Sequence, residues 1–190
     1  MKTILAVPSL GRRAEFLDAV ARSRKLHAAW VAPPGSSEAF NQYLKRFNSP
    51  SHVSSWILTE TDHLAGVVNI NEIVRGLFQS GYLSYYGFAP HNGQGYMTEG
   101  IRAVISRAFR RLGLHRLEAN IQPGNYRSRN LIQGLGFKLE GFSPRYLKIA
   151  GKWRDHERWA ITVEDWRALG RTGFSLSAFV REGENQNQTG

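Results

Sequence analysis

A chain of 190 residues, 42% of them hydrophobic and 12% aromatic, is long enough to bury one proper core and too apolar to stay disordered. It has no cysteine, which excludes a disulfide scaffold, a thiolate metal site and an acyl-cysteine intermediate. Its net charge of +10 is spread over separate clusters at Arg12–Arg13, Arg22–Lys25 and Arg107–Arg111, which fits a solvated basic face, a phosphate-rich ligand or a nucleoprotein such as the ribosome nearby.

No run approaches the roughly 18 apolar residues of a spanning helix, and Met1–Val7 is too short for a signal peptide. The expectation is a cytoplasmic protein with no membrane partner. Along the chain, Ala14, Leu17, Val20 and Ala21 predict a helix over 12–27. A loop through Pro33–Ser37 follows, then a helix over Glu38–Phe47 with Ser36 or Ser37 as its N-cap. From Val53 the period shortens, and Ser55–Thr59, Gly66–Val74 and Gly81–Ala89 read as strands, with turns at Thr61–His63 and Gln79–Gly81. After a glycine turn, Ile101, Val104, Ile105, Ala108, Phe109 and Leu112 form the apolar stripe of a helix over 95–112, capped by Gly113. A strand at His115–Gln122 is halted by Pro123, a short helix runs from Asn125 to Leu135, and 137–149 and 153–163 close as a hairpin about Ala150–Lys152. Three meandering strands entering a strand–helix–strand crossover imply an α+β, three-layer α/β/α fold with a mixed sheet and flanking helices. Residues 1–168 read as one domain, and 169–190 as a C-terminal extension whose Asn- and Gln-rich end, Gly183–Gly190, is expected to be disordered.

The glycine turn is the most informative segment. Gly93 and Gly95 stand between a strand and a helix N-terminus, where unpaired N–H groups and the positive dipole end suit a phosphate. A Walker-A loop requires a Lys-Ser/Thr pair that is missing after Gly95, and a dinucleotide fingerprint requires glycine where Thr98 stands. Asn92–Met97 (NGQGYM) resembles the pyrophosphate loop of GNAT-type acetyltransferases, which bind acetyl-CoA. Leu114–Ser128, Gly134–Gly141 and Arg145–His156 are similar to that family's second half, in the branch acting on the N-termini of ribosomal proteins. The resemblance covers roughly 10–165. It implies a mostly antiparallel sheet, and acetyl-CoA held by the main chain of Gly93, Gln94, Gly95, Tyr96, Met97 and Thr98. Strand-like pairing of pantetheine with Tyr86, Gly87 and Phe88 is implied as well. Three departures stand out: Asn92 replaces the first Gln or Arg, Met97 replaces a small residue, and Ile132 occupies the position of the tyrosine acid many members carry.

Acetyl transfer to an amine needs a base for the ammonium, donors for the oxyanion and a fate for the thiolate. Glu118 is the candidate base, since Arg116, Glu118, Asn120 and Gln122 alternate with Leu117, Ala119 and Ile121 on a strand. A carboxylate merely paired with Arg116 or a neighbouring strand explains Glu118 equally well. Asn125 and Ser128 satisfy an N-cap and its N3 position without any ligand. The resemblance adds Asn125 as a contact to the pantetheine amide and Ser128 as the acid, with Tyr82 or solvent as alternatives. Asp155, His156 and Trp30 are candidate contacts to the incoming amine or peptide. The six histidines lack metal-ligand spacing, so no metal is expected.

The whole reading is an acetyl-CoA-dependent N-acetyltransferase, monomer or homodimer, acting on the N-terminal amine of a ribosomal protein. A polyamine or antibiotic acetyltransferase, a basic ribosome- or nucleic-acid-binding module, and a silent fold that only binds CoA are the alternatives.

Overall fold

The computed structural model of the chain describes residues 3–171. One sheet contains β1 (Ile4–Ala6), β2 (Val53–Leu58), β3 (Leu64–Val74), β4 (Ser80–Gly87), β5 (Arg116–Ile121), β6 (Lys138–Ile149) and β7 (Lys152–Thr162), in the order β1-β2-β3-β4-β5-β7-β6. Neighbours are antiparallel except β4 and β5. That parallel pair needs a crossover, and α4 (Tyr96–Arg110) provides it. The α+β, three-layer arrangement is the one the chain order implied.

The two faces of the sheet bury different cores. Helices α1 (Arg13–Arg22) and α3 (Ser37–Arg46) cover one face through Phe16 and Phe40, which pack on Trp56, Val67 and Phe88. Helices α4, α5 (Tyr126–Gly134) and α6 (Val163–Arg171) cover the other, where Ile101, Ile105, Ile132 and Trp166 meet Ile57, Val68, Leu117 and Ile161. Ser36 is the N-cap of α3, accepting the Ala39 N–H at 3.2 Å. The β6–β7 turn takes Ala150 and Gly151 through positive φ, 47° and 79°, the signature of a two-residue hairpin whose twist suits its strands.

Three elements differ from the sequence reading. The first helix is broken: α1 ends at Ser23, and a single turn, α2 (Arg24–His27), follows. The Ser23 hydroxyl accepts the Ala89 N–H at 2.9 Å, and this contact holds the break against the segment that follows β4. The buried stripe is Phe16, Ala19, Val20, Ser23 and His27, while Ala14 and Ala21 face solvent. β1 lies in the segment weighed as a leader, pairing Leu5 with Ile57. α6 runs across position 168 and buries Trp166; the remainder of the expected extension, 172–190 with Gly183–Gly190, lies outside the described residues.

One irregularity of the sheet positions everything that follows. β4 and β5 pair only from Ser80 opposite Arg116 to Leu83 opposite Ala119. Beyond that point β4 continues to Gly87 along β3, and β5 to Ile121 along β7. The strands splay, and a wedge opens between Ser84–Gly87 and Asn120–Ile121.

Candidate active site

The wedge leads from β4 into the glycine turn. Gly93 and Gly95 adopt φ of 80° and 88°, the left-handed region that favours glycine. Gly95 is the N-cap of α4 and offers no side chain to the helix; the first backbone bond runs from the Glu99 N–H to the Gly95 carbonyl at 3.1 Å. The N–H groups of Tyr96, Met97 and Thr98 precede it, with no helical carbonyl to meet them. Gly93, Gln94 and Gly95 are exposed, and the Gln94 carboxamide donates back to the Pro90 carbonyl at 3.0 Å. Together these form an open, main-chain, positively polarised cradle of the kind that holds a phosphate.

Met97 is accommodated by glycines elsewhere. A Cβ at Gly66 would lie 2.2 Å from Met97 Sδ, and one at Gly87 would lie 3.2 Å from Met97 Cγ. The large residue at a position read as small is therefore matched by two missing side chains in β3 and β4. Gly87 marks close approach, one of the two meanings a glycine within a strand can have.

Of Tyr86, Gly87 and Phe88, the middle residue turns its main chain to the wedge. Phe88 donates its N–H to the Ala65 carbonyl at 2.8 Å, so in the alternating ladder Tyr86 and Phe88 face β3 while Gly87 faces away. The Gly87 carbonyl accepts from His27 Nε2 at 2.8 Å, leaving its N–H toward the gap. That acceptor fixes the His27 tautomer with its proton on Nε2, and burial pushes the ring below its usual pKa. Nothing in the spacing of His27 signalled this contact, because its partner is 60 residues away.

Cross-strand partners share a face, so the register sorts the remaining groups. Glu118 stands opposite Tyr82 on β4 and Ala160 on β7. Its carboxylate accepts from Arg116 Nε at 2.8 Å, and the other side of that guanidinium binds Glu140. The pairing foreseen for Glu118 is thus present; Arg116 serves two carboxylates, and Arg158, opposite Asn120 on the same face, also acts on Glu140. The Tyr82 hydroxyl is pushed up, first by burial and then by Glu118.

Ser128 lies on the opposite face. Asn125 caps α5, its Oδ1 accepting the Ser128 N–H at 3.2 Å. The Ser128 hydroxyl meets Tyr85 Oη at 2.5 Å, and burial raises the Tyr85 hydroxyl far above its usual value. Tyr85 carries no motif that singles it out; the alternation that sends Tyr85 and Tyr86 to opposite faces was the available signal. Ile132 is fully buried and offers no polar group.

Around the mouth of the wedge, a 310 Å³ cavity is lined by Trp30, Val31, Gln122, Ile149 and Arg154, with small alanines between them. Trp30 packs over Gly124. His156 is buried, bonded through Nδ1 to the Arg154 carbonyl at 2.9 Å and pushed below its usual pKa by burial. Asp155 is occupied structurally, accepting the Arg145 N–H at 2.7 Å where Arg145 adopts φ of 50°. The structure thus brings Trp30 to the cavity, and places His156 and Asp155 in the hairpin that borders it.

Residues 9–138 match the acetyltransferase (GNAT) domain family. A probable N-acetyltransferase of Bacillus subtilis, YjcK, is 36% identical over 69% of this chain and 73% of its own length. The ribosomal protein uS5-alanine N-acetyltransferase of Escherichia coli is 42% identical over 54% of this chain, spanning about half (53%) of that protein. Among solved structures, RimJ of Mycobacterium smegmatis in complex with CoA-disulfide superposes with a TM-score of 0.78 at 22% identity, covering 89% of this chain and 88% of that one. Spermidine N-acetyltransferase of Vibrio cholerae in complex with CoA and spermine gives 0.75 at 18% identity, covering 87% and 98%. With more than half its length matched, the chain belongs to the GNAT acetyltransferase family.

Proposed function

We propose that this protein transfers acetyl from acetyl-CoA directly to the N-terminal amine of a protein, with a ribosomal protein as acceptor, in the cytoplasm. The observation that carries the reading is the wedge with its two candidate groups on opposite faces. Glu118 lies on the face bounded by the Trp30 cavity, and Ser128 on the face of α4 and α5. The cofactor's pyrophosphate fits the N–H groups of Tyr96, Met97 and Thr98, and its pantetheine arm fits the Gly87 N–H. Ser128, held by Tyr85, is then the donor available to the sulfur.

In the transfer, the amine gives a proton to Glu118 and attacks the acetyl carbon. Attack forms the C–N bond and an oxyanion, whose collapse breaks the C–S bond; the sulfur takes a proton from Ser128, and the proton the new amide nitrogen loses restores that hydroxyl, so one proton stays on Glu118. The position of Glu118 beside the wedge, sharing Arg116 with Glu140, supports it as the base, since a carboxylate there can accept a proton from the incoming amine.

Electrostatics of the mouth favour a protein N-terminus over a polyamine. A polycation needs several unpaired carboxylates, whereas the cavity presents Arg154 among apolar side chains, and Asp155 is committed to main chain. The relative named for uS5 supports the same acceptor class. Thermal stability followed during titration with acetyl-CoA and with desulfo-CoA tests the cofactor, and mass spectrometry on ribosomal N-terminal peptides tests the acceptor. Glu118→Gln is expected to lower kcat by about 10²–10⁴ while acetyl-CoA still raises Tm. Absence of stabilisation by either cofactor would sink the enzyme reading; a normal rate in Glu118→Gln would remove only that residue's role.

A further inference from the structure

The stripe by which the first helices face the sheet is apolar at Phe16, Ala19 and Val20, then polar at Ser23 and His27. These two side chains are buried all the same, at 1% and 4% exposure. A polar side chain in such a place has to regain in hydrogen bonds what it loses in water. The His27 N–H bonds the Ser23 carbonyl at 3.1 Å, which sets the two side chains one turn apart on the same side.

Both side chains reach one short stretch of main chain. His27 Nε2 donates to the Gly87 carbonyl at 2.8 Å, and the Ser23 hydroxyl accepts the Ala89 N–H at 2.9 Å. Between them, the Phe88 N–H goes to the Ala65 carbonyl at 2.8 Å, and the Phe88 carbonyl accepts the His91 N–H at 3.0 Å. Every main-chain polar group from the Gly87 carbonyl to the Ala89 N–H is therefore bonded. The rings of Tyr86 and Phe88 meet the imidazole edge-on, at centroid distances of 5.5 and 5.9 Å, and hold its plane.

That stretch joins the two halves of the cofactor site. β4 loses its parallel partner after Leu83 opposite Ala119, so the main-chain groups of Tyr85 and Gly87 face the gap. A longer β5 would have supplied a donor to the Gly87 carbonyl; His27 supplies it instead. The Gly87 N–H, the next group back along the chain, is left to the wedge. Beyond the Phe88–Ala65 bond the chain leaves the sheet for the glycine turn, and Ser23 fixes the point of departure.

We propose that Ser23 and His27 are positioning residues for the cofactor. They clamp the exit of β4 so that the Gly87 N–H and the N–H groups of the glycine turn stand at the fixed offset that one acetyl-CoA spans. The inference rests on the wedge as an acetyl-CoA site. The clamp acts through the main chain, so its loss spoils the alignment of two contacts, and a ligand that makes only one of them is indifferent to it.

The test uses the full chain and two probes, with Kd measured by calorimetry. Desulfo-CoA spans both contacts; 3′-phospho-ADP carries the pyrophosphate and no pantetheine arm. His27→Phe keeps a ring of similar size and removes the donor. It is expected to weaken desulfo-CoA about fivefold, the worth of one hydrogen bond, and 3′-phospho-ADP less than about twofold. His27→Gln retains an N–H near the Nε2 position and should bring desulfo-CoA back to within about twofold of wild type. Ser23→Ala is a smaller change; it should weaken desulfo-CoA about two- to threefold with the same selectivity, and it carries the test if His27→Phe does not fold. Equal weakening of both probes, or of neither, in a folded variant overturns the clamp while leaving the acetyl-CoA site standing. A His27→Gln protein as weak as His27→Phe does the same. Wild-type protein that binds neither probe overturns the site and the clamp together.

Discussion

The match between Met97 and the glycines of β3 and β4 makes a demanding prediction for Gly66→Ala. The added Cβ would lie 2.2 Å from Met97 Sδ and 2.8 Å from the Tyr86 carbonyl oxygen. The thioether can swing away, since methionine is flexible. The carbonyl cannot, because Tyr86 is locked in the β3–β4 ladder opposite Val67. Overpacking of this kind costs about 1–3 kcal/mol, and in a chain of this size each kcal/mol lowers Tm by about 2–4 °C. A fall of about 2–12 °C is therefore expected by thermal unfolding. Gly87→Ala meets Met97 Cγ at 3.2 Å and no backbone closer than 3.8 Å, so its fall should be under half as large. In a double-mutant cycle, Gly66→Ala should cost at least about 0.5 kcal/mol less in a Met97→Ala background than in wild type. Strict additivity, or a Gly87→Ala protein less stable than Gly66→Ala, would refute the packing argument. The Gly66→Ala protein should also show weaker stabilisation by acetyl-CoA, because displacing Met97 disturbs the first turn of α4.

Other consequences can be checked alongside. Tyr85→Phe removes the hydroxyl bonded to Ser128 and should cost about 1 kcal/mol of stability; its kcat should fall severalfold with KM for acetyl-CoA little changed, as steady-state kinetics would show. Burial lowers the pKa of His27 and His156 below 6.5, so the unfolded chain takes up protons more readily than the folded one. Stability is then at its full value above about pH 6.5 and is lost as pH falls through that value, and a Tm series from pH 7.5 to 5 should show the decline, shallower in His27→Gln. Ser36→Ala deletes the α3 cap and should cost about 1 kcal/mol, measured by urea unfolding. Arg154→Glu reverses the charge of the Trp30 cavity and should shift the ratio of spermidine to peptide acetylation toward spermidine; an unchanged ratio would remove Arg154 from acceptor selection.

Local chemistry was legible in the sequence wherever a short-range rule sufficed. The α4 stripe from Ile101 to Phe109, the Ser36 and Asn125 caps, the positive-φ glycines 93 and 95, and the alternation along Arg116–Ile121 each depend on residues within a few positions. β1 escaped because three residues hold no period, and its strand character comes from pairing with β2, about 50 residues on. The break at Ser23 escaped because helix and loop propensities there are similar, and a hydrogen bond to Ala89 decides between them. The stripe of the first helix was misplaced for a related reason: alanines at 14 and 21 fit either face, and the aromatic cluster around Phe16 chose.

The amino-acid sequence by itself determined the strand–turn–helix cradle and the pairing of polar with apolar faces, because backbone conformation and period are set by neighbours along the chain. Only the tertiary structure decided that Glu118 shares Arg116 with Glu140, that Ser128 meets Tyr85 across the wedge, and that Met97 fits because positions 66 and 87 carry no side chain. Each of those contacts joins residues 10 to 43 positions apart, apart from the adjacent Arg116–Glu118 pair, and each exists because the splay of β4 from β5 brings separate elements to one place. Distance in sequence carries no information about such meetings; the register of the sheet does.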